Sequence, residues 1–161
     1  MADLENTLYL DLADHAGKAK GRVTIALRAD LAPGHVGRIK ELAREGFYDG
    51  VVFHRVIEGF MAQGGDPTGT GTGGSKKPDL KAEFSAEPHV RGICSMARSS
   101  NPNCANSQFF ICFDEARFLD KQYTVWGKVT EGMEIVDTIK RGEPVRQPDK
   151  IAKMQVAADA K

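Results

Sequence analysis

The feature of the sequence that most limits its possible folds is a series of short apolar runs with a two-residue period. In the first run, Leu8, Leu10 and Leu12 alternate with Tyr9 and Asp11, as expected for a strand with one buried face. A turn-rich stretch follows, and a second run then resumes the pattern, which predicts a β-hairpin. With the first run, similar β-rich runs give about eight strands: 23–27, 51–57, 60–64, 93–97, 108–112, 123–129 and 150–156.

Several of these runs are apolar on both faces. In one of them, Phe109 and Ile111 share one face, and Phe110 and Cys112 share the other. A strand of this kind is expected in a sheet that packs against the hydrophobic core on its inner face and against other apolar groups on its outer face.

Two stretches have helical spacing instead. One starts at Pro33, and the other carries Met133, Val136 and Ile139 on one stripe. We therefore predict an all-β fold, a closed eight-stranded antiparallel barrel capped by two α-helices, because closure leaves no free strand edge. The length suits a single domain over 1–161.

The overall charge argues against some partners. The chain has 22 basic and 22 acidic residues, so its formal net charge is zero and no nucleic-acid partner is expected. Residues 1–12 lack the pattern of a secretory signal, and nowhere do 18 apolar residues follow one another. We expect a cytoplasmic protein with no membrane association, and a neutral chain without an obvious exposed apolar helix favours a monomer.

Two further patterns are typical of other classes of protein but lack the required context. Residues 69–74 match G-x-G-x-x-G, but no βαβ unit surrounds them, which argues against a dinucleotide site. Cys94, Cys104 and Cys112 are odd in number, contain no C-x-x-C pair and have no nucleophile motif or closely spaced histidines around them. We expect free thiols with no assigned role, no metal and no other cofactor.

The segment 53–66 places an arginine among apolar residues. Taken as one strand, its period puts Arg55 on the same face as Phe53 and Ile57. A single arginine of this kind is usually explained by a stem that covers apolar surface while the charge reaches water. A turn after Ile57 would, however, bring an aromatic ring, a thioether and an amide beside it, and 107–110 repeats the pairing of amide and aromatic. An apolar pocket with a few converging polar groups is the usual form of a small-ligand site.

These motifs resemble the signature of the cyclophilin family. The pattern F-H-R-V-I-x-G-F-M-x-Q-G-G-D begins at Phe53, and S-M-A-R, S-Q-F-F-I, F-L-D and W-G-K-V follow in the family's order. The resemblance runs from about Leu4 to Val156. It implies a peptidyl-prolyl cis/trans isomerase, or rotamase, that assists protein folding, with proline-containing peptides and unfolded or folding proteins as its partners.

The resemblance also implies the site residues. Arg55 falls on the family's catalytic arginine, and Gln63 and Gln108 fall on its hydrogen-bonding glutamines. Ala97 falls on its backbone-binding alanine, and Arg98 follows along the peptide groove. The proline pocket is implied at Phe60, Met61, Phe110 and Leu119.

Three positions depart from many eukaryotic members of the family. Phe118 stands where those members carry a tryptophan that contacts cyclosporin, Tyr123 stands where they have a histidine lining the pocket, and Arg98 replaces their asparagine. All three changes resemble the bacterial branch. We therefore expect isomerase activity with weak cyclosporin binding.

The chemistry implied by this resemblance breaks no covalent bond, so it requires no nucleophile, general base or metal. Arg55 would stabilise the twisted transition state, in which the prolyl nitrogen regains its lone pair, and His54 would be structural. The alternative is a chaperone or adaptor module that binds proline-containing segments with incidental turnover. A purely structural barrel would leave Arg55, Gln63 and Gln108 without a purpose.

Overall fold

The computed structural model describes residues 3–160. Within this range lie eight strands and two α-helices, neither helix long and apolar enough to cross a membrane. The strands are β1 (Thr7–Ala13), β2 (Ala19–Leu27), β3 (Arg55–Ile57), β4 (Met61–Gly64), β5 (Ile93–Met96), β6 (Phe109–Cys112), β7 (Val125–Glu131) and β8 (Lys150–Val156). The helices are α1 (Pro33–Arg44) and α2 (Met133–Val136), and short 3-10 turns occupy Leu4–Asn6, Arg117–Leu119 and Ala157–Asp159.

All eight strands form one curled antiparallel sheet in the order β3-β4-β6-β5-β7-β2-β1-β8. The predicted all-β fold with eight antiparallel strands and two helices is confirmed, but the predicted closed barrel is wrong. Strands β3 and β8 remain at the two ends of the sheet. Before β3, the chain meets β8 through an isolated bridge between Val52 and Lys150, and Ile151 accepts the Gly50 N–H at 2.6 Å and donates to the Val51 carbonyl at 2.9 Å. Just before β8, the Asp149 carbonyl accepts the Phe53 N–H at 2.9 Å. These irregular contacts stand where a strand ladder would close the barrel.

Helix α1 begins at Pro33, as predicted, and packs its apolar stripe against β7 and β8. Its first turn has no cap from its own N-cap residue. Instead the distant Glu83 carboxylate accepts the N–H groups of Gly34 and His35, at 3.1 and 2.8 Å. A loop residue thereby satisfies donors that a helix start otherwise leaves without partners.

The second helix is shorter than predicted. It makes a single turn, although Val136 and Ile139 are both buried as the apolar stripe suggested. Beyond α2 the chain continues in tight turns, and the Lys140 N–H donates to the Asp149 carboxylate at 2.8 Å. A long-range contact therefore competes with continuation of the helix.

Two apolar clusters lie on opposite faces of β6. Phe109 and Ile111 belong to the main core inside the curl, together with the α1 stripe. Phe110 and Cys112 belong to a smaller cluster on the outer face. The prediction that β6 is apolar on both faces is therefore confirmed. The outer cluster forms the floor of a groove on the outer surface of the sheet.

Candidate active site

Arg55 stands at the start of β3, directly opposite Gln63 of β4 in the antiparallel register. Its Nη1 donates to Gln63 Oε1 at 3.4 Å, and its Nε lies 3.4 Å from Glu143 Oε2. The side chain is 44% exposed. The guanidinium therefore keeps part of its donor set available to a ligand.

The expected two-residue period is wrong between Phe53 and Arg55. Phe53 is fully buried in the main core, whereas Arg55 faces the groove and Ile57 packs against the outer cluster. Regular pairing begins only at Arg55, because the residues before it bond irregularly to the loop between α2 and β8. The regular alternation of side chains between the two faces is interrupted between Phe53 and Arg55. Counting every second residue from Phe53 therefore places Arg55 on the wrong face.

A pocket of about 130 Å³ opens beside the guanidinium. Nine of the eleven predicted site residues line it, and the other two lie just outside. The lining residues are Arg55, Phe60, Met61, Gln63, Ala97, Arg98, Phe110, Leu119 and Tyr123.

The walls of this pocket are apolar and aromatic. Met61, Phe110 and Leu119 are buried members of the outer cluster. Tyr123 meets Phe110 edge to face with the ring centroids 5.8 Å apart, and the Arg98 guanidinium lies 4.6 Å from the centre of the Tyr123 ring. The result is a small concavity with aromatic and aliphatic walls and a polar border of Arg55, Gln63 and Arg98, of a size that suits one small ring.

Phe118 does not line the pocket. It is 67% exposed and contacts the site through Phe60, at a ring-centroid distance of 5.5 Å. Phe118 therefore forms an outer rim, where it is available to a large ligand that extends beyond the pocket.

Two glutamines connect the Arg55 guanidinium to the glycine-rich loop, which contains residues 69–74. Gln63 Nε2 donates to Gln108 Oε1 at 3.0 Å, and Gln108 Nε2 donates to the carbonyl groups of Gly71 and Gly73, both at 3.0 Å. Gln108 therefore belongs to the adjoining cavity rather than to the small pocket. This relay orients the Gln63 amide toward Arg55.

The glycine-rich loop is organised by a buried carboxylate. Asp66 is fully buried and accepts the N–H groups of Thr68, Gly71 and Gly73 at 2.8, 2.7 and 3.0 Å. Burial opposes its charge, but the hydrogen bonds from Gly73 and Thr68 outweigh burial and hold its pKa well below the usual range. These N–H groups already have an acceptor, so the loop is not a phosphate cradle of the kind that G-x-G-x-x-G forms elsewhere.

A larger polar cavity of about 510 Å³ adjoins the small pocket. It shares Gln63, Ala97 and Arg98 with that pocket and extends under the glycine-rich loop. The sequence predictions did not include several of its residues. The missed residues are Asp79, Ser99, Cys104, Asn106 and Ser107.

On its other side, Arg55 borders a third cavity of about 560 Å³. Glu143, from the loop after α2, and His54 line it. Burial lowers the pKa of His54, and Asp66 offsets this only in part. Glu143 was missed because no motif marks it, and only the fold brings that loop to Arg55.

Two of the three cysteines are placed as inert core residues. Cys94 and Cys112 are fully buried. Burial raises the pKa of the Cys112 thiol to about 12 and that of Cys94 well above its usual value. Neither is a ready nucleophile, since the thiolate is the reactive form.

A curled β-sheet with a small pocket of apolar walls, bordered by guanidinium and amide groups, defines a class of protein that binds a small apolar group on the outer face of its sheet. The comparison with known families makes this class specific. Residues 10–156 match the model of the cyclophilin type peptidyl-prolyl cis-trans isomerase/CLD family. The chain belongs to this family and is a peptidyl-prolyl cis-trans isomerase, as the sequence motifs implied.

Relatives and solved structures agree. A probable peptidyl-prolyl cis-trans isomerase of Brucella suis is 55% identical, over 99% of this chain and 87% of its own length. The crystal structure of cyclophilin AquaCyp293 from Hirschia baltica matches with a TM-score of 0.88 and 30% identity, covering 99% of this chain and 77% of that one. A Cryptosporidium parvum cyclophilin type isomerase, solved in the presence of the dipeptide ala-pro, matches with a TM-score of 0.83 and 28% identity, covering 93% of this chain and 98% of that one.

Proposed function

We propose that this isomerase accelerates rotation about X-Pro bonds through Arg55, acting as an electrostatic catalyst at the mouth of the small pocket. The observation that carries the proposal is the half-exposed guanidinium beside an apolar concavity of about 130 Å³. The remaining polar groups of the site serve to position the peptide.

The reaction needs a difference in binding rather than a reactive group. The planar X-Pro bond resists rotation by about 20 kcal/mol because the nitrogen lone pair is delocalised into the carbonyl group. In the twisted state the lone pair returns to the prolyl nitrogen, which then accepts a hydrogen bond. Arg55 meets this acceptor better in the twisted state than in the planar state, and such a difference lowers the barrier.

The pocket supplies the rest of the effect. Phe60, Met61, Phe110 and Leu119 hold the proline ring and exclude water, so that one charge acts in a low dielectric. An acceleration of five to six orders of magnitude requires about 7 to 8 kcal/mol from all of these contributions together. Desolvation and preference for the twisted geometry therefore act alongside the single hydrogen bond.

The flanking peptide is held by amides and backbone. Gln63 and Gln108 offer amide groups along the groove, and Arg98 lies beside them. The Ala97 N–H already donates to the Gln108 carbonyl at 2.9 Å, so peptide binding at Ala97 uses its carbonyl oxygen. The dipeptide in the Cryptosporidium parvum structure is of the kind that this groove would take.

The proposed clients are proline-containing segments of unfolded or folding proteins in the cytoplasm, bound by a monomeric single domain spanning 1–161. The competing function is a chaperone or adaptor that uses the same groove for binding alone. The free donors of Arg55 favour the enzyme, because a module that only holds proline needs no charge at the edge of its pocket.

An isomerase and a module that only binds proline can be distinguished by measuring peptide affinity and turnover on the same variant. Arg55→Ala should reduce kcat/KM for an Ala-Pro peptide about a hundredfold or more, as expected when one preorganised donor is removed, and should change peptide affinity only a few-fold. Arg22→Ala is a matched control, because Arg22 pairs with Asp11 on the hairpin outside all three cavities. Retention of parental turnover by Arg55→Ala would show that Arg55 has no catalytic role.

A further inference from the structure

Arg98 stands where the proline pocket meets the larger polar cavity. It follows just after β5 and is half-buried. The two cavities have three lining residues in common, Gln63, Ala97 and Arg98. Of these three only Arg98 is charged, so a peptide that occupies both cavities must pass its guanidinium.

Backbone carbonyl groups hold the Arg98 side chain in place. Its Nε and Nη2 donate to the Gln122 carbonyl at 3.2 and 2.6 Å, and Nη1 donates to the Ser99 carbonyl at 2.9 Å. The guanidinium also lies 4.6 Å from the centre of the Tyr123 ring. Because a guanidinium has five N–H groups, two of them have no protein acceptor within residues 3–160.

Arg98 has hydrogen bonds but no negative partner. The chain contains ten arginines, and in its described part eight of them have a carboxylate oxygen within 4.0 Å. Arg98 and Arg146 are the two exceptions. Arg146 is exposed and lines none of the three cavities around Arg55. Only Arg98 therefore brings a charge without an ion pair into the groove.

The larger cavity has one other charged lining residue, Asp79. Its carboxylate accepts the Asn106 side-chain amide at 3.2 Å and, within residues 3–160, forms no ion pair. Asp79 does not line the small pocket. The larger cavity is therefore positive where it meets the proline pocket and negative on the side of the loops that carry Asp79 and Asn106.

We propose that Arg98 determines substrate specificity by favouring client segments with an acidic side chain close to the proline, on the side of the peptide that enters the larger cavity. This inference rests on the proposed function, since it assumes that the proline ring occupies the small pocket. An extended peptide advances about 3.3 Å per residue, so a side chain one or two residues from the proline reaches the border between the cavities. A carboxylate there meets a guanidinium that is already oriented and has free donors, and such charge-assisted hydrogen bonds are stronger than neutral ones.

A purely structural role for Arg98 makes a different prediction. The hydrogen bonds of Arg98 tie the loop after β5 to the Gln122 carbonyl whichever peptide is bound. Loss of that tie would weaken the binding of all peptides alike. A role in specificity changes the ratio between peptides that differ only in charge.

Matched peptides test the proposal on the unmodified protein. The probes are N-acetylated, C-amidated alanine peptides with one central proline and a single Glu or Gln at each of the two positions before and the two positions after it. Glu and Gln have nearly the same size, so the ratio of their affinities reports the effect of charge. At a position on one side of the proline, we expect the Glu peptide to bind about fivefold more tightly, as for a partly exposed ion pair. Raising the salt concentration from about 0.05 M to about 0.5 M should remove most of this preference through screening.

Variants assign the preference to one side chain. Arg98→Gln should abolish it, and Arg98→Lys should retain part of it, because the charge remains while the planar donors are lost. Arg146→Gln is the matched control, since it removes the other arginine without an ion pair, and should keep the parental ratio. Under a purely structural role, Arg98→Lys would resemble Arg98→Gln and neither would change the ratio.

Two results would overturn the proposal: a Glu peptide that binds no more tightly than its Gln counterpart at any position, or a preference for Glu that Arg98→Gln retains. The first is measured on the unmodified protein, so it decides even if Arg98→Gln does not fold. Arg55→Ala separates this proposal from the proposed function. If that variant retains full turnover, the catalytic role of Arg55 fails, while the affinity ratio of the Glu and Gln peptides still decides the role of Arg98.

Discussion

Arg55 is loosely held, and this suits the role proposed for it. Both of its polar contacts are 3.4 Å long, and an exposed ion pair of this kind contributes at most about 1 kcal/mol. Gln63 is held more firmly, because its amide donates to Gln108 at 3.0 Å. The guanidinium can therefore turn toward a prolyl nitrogen at little cost while its neighbour stays in place.

The rim residue Phe118 separates small from large ligands. A proline ring fits within the pocket and does not need this side chain, whereas a large ligand such as cyclosporin would extend over the rim. Phe118→Trp enlarges the contact surface and adds an indole N–H donor. We expect weak inhibition of the parent and about tenfold tighter cyclosporin binding by the variant, which corresponds to about 1.4 kcal/mol.

Inhibition of isomerase activity at increasing cyclosporin concentration measures this effect. Phe84→Trp makes the same change at another exposed phenylalanine, which lies outside the three cavities around Arg55, and should leave inhibition as in the parent. Near-stoichiometric inhibition of the parent would contradict the prediction, and so would a Phe118→Trp variant that binds no more tightly.

Among the structural elements, the glycine-rich loop after β4 depends most on one side chain. The Asp66 carboxylate accepts four backbone N–H groups of the loop, and Gln108 donates to two of its carbonyl groups. A Cβ at Gly73 would collide with the Asp66 carboxylate, so glycine permits this close approach. The loop forms a wall of the larger cavity and orients the Gln108 amide.

Asp66→Asn should therefore damage both stability and substrate binding. The amide oxygen can replace only part of a carboxylate that accepts several N–H groups, and charged hydrogen bonds of this kind contribute about 1.5 to 3 kcal/mol. We expect the free energy of unfolding to fall by about 2 kcal/mol and KM to rise more than kcat falls. Urea unfolding and steady-state kinetics test this, with the exposed Asp114→Asn as control. An Asp66→Asn protein with parental stability and KM would contradict it.

The elements also show where local pattern stops being informative. The α1 and β6 patterns were correct because each keeps one period over its whole length. The period failed at Arg55, because the chain before it bonds to a loop some ninety residues later, as Phe53 does to Asp149. The same Asp149 takes the Lys140 N–H beyond α2. A short stretch of sequence does not show which distant residues its backbone groups will bond to. The early end of α2 and the late start of β3 therefore could not be predicted from local pattern.

At the level of the whole molecule, the curled sheet divides the apolar residues between an enclosed core and an outer cluster. The apolar pattern of the sequence predicted this division between inner and outer faces. The family motifs predicted which residues of the outer face line the small pocket. The larger cavity could not be assembled in the same way, because Asp79 and Asn106 come from separate loops that meet only after folding. The open sheet edge was equally hidden, since strand runs give the number of strands but not their closure.

Three buried histidines should make the stability of the whole chain pH-dependent. Burial lowers the pKa values of His35, His54 and His89 in the folded state. An unfolded chain with histidine pKa values of about 6.5 binds protons first as the pH falls. Their stabilising effect is therefore complete above about pH 6.5 and is lost as the pH falls toward the folded-state values.

Urea unfolding between pH 8 and pH 5 measures this loss. We expect the free energy of unfolding to be level above about pH 7 and to fall below about pH 6.5, by up to about 1.4 kcal/mol per pH unit for each ring. A second loss should follow below about pH 4, as the depressed carboxyl pKa values of Asp66 and Asp120 are approached. A constant free energy of unfolding from pH 7.5 to pH 5 would contradict the placement of the three rings.

The most direct test of Arg55 is the rate at which a bound Ala-Pro peptide interconverts between cis and trans, measured by NMR exchange spectroscopy at saturating protein. Saturation removes affinity from the comparison, so only the barrier on the protein is measured. Arg55→Ala should slow this interconversion about a hundredfold or more, and Arg55→Lys, which keeps the charge but loses the planar donors, should lie between that variant and the parent. Interconversion in Arg55→Ala as fast as in the parent would contradict the electrostatic role of Arg55.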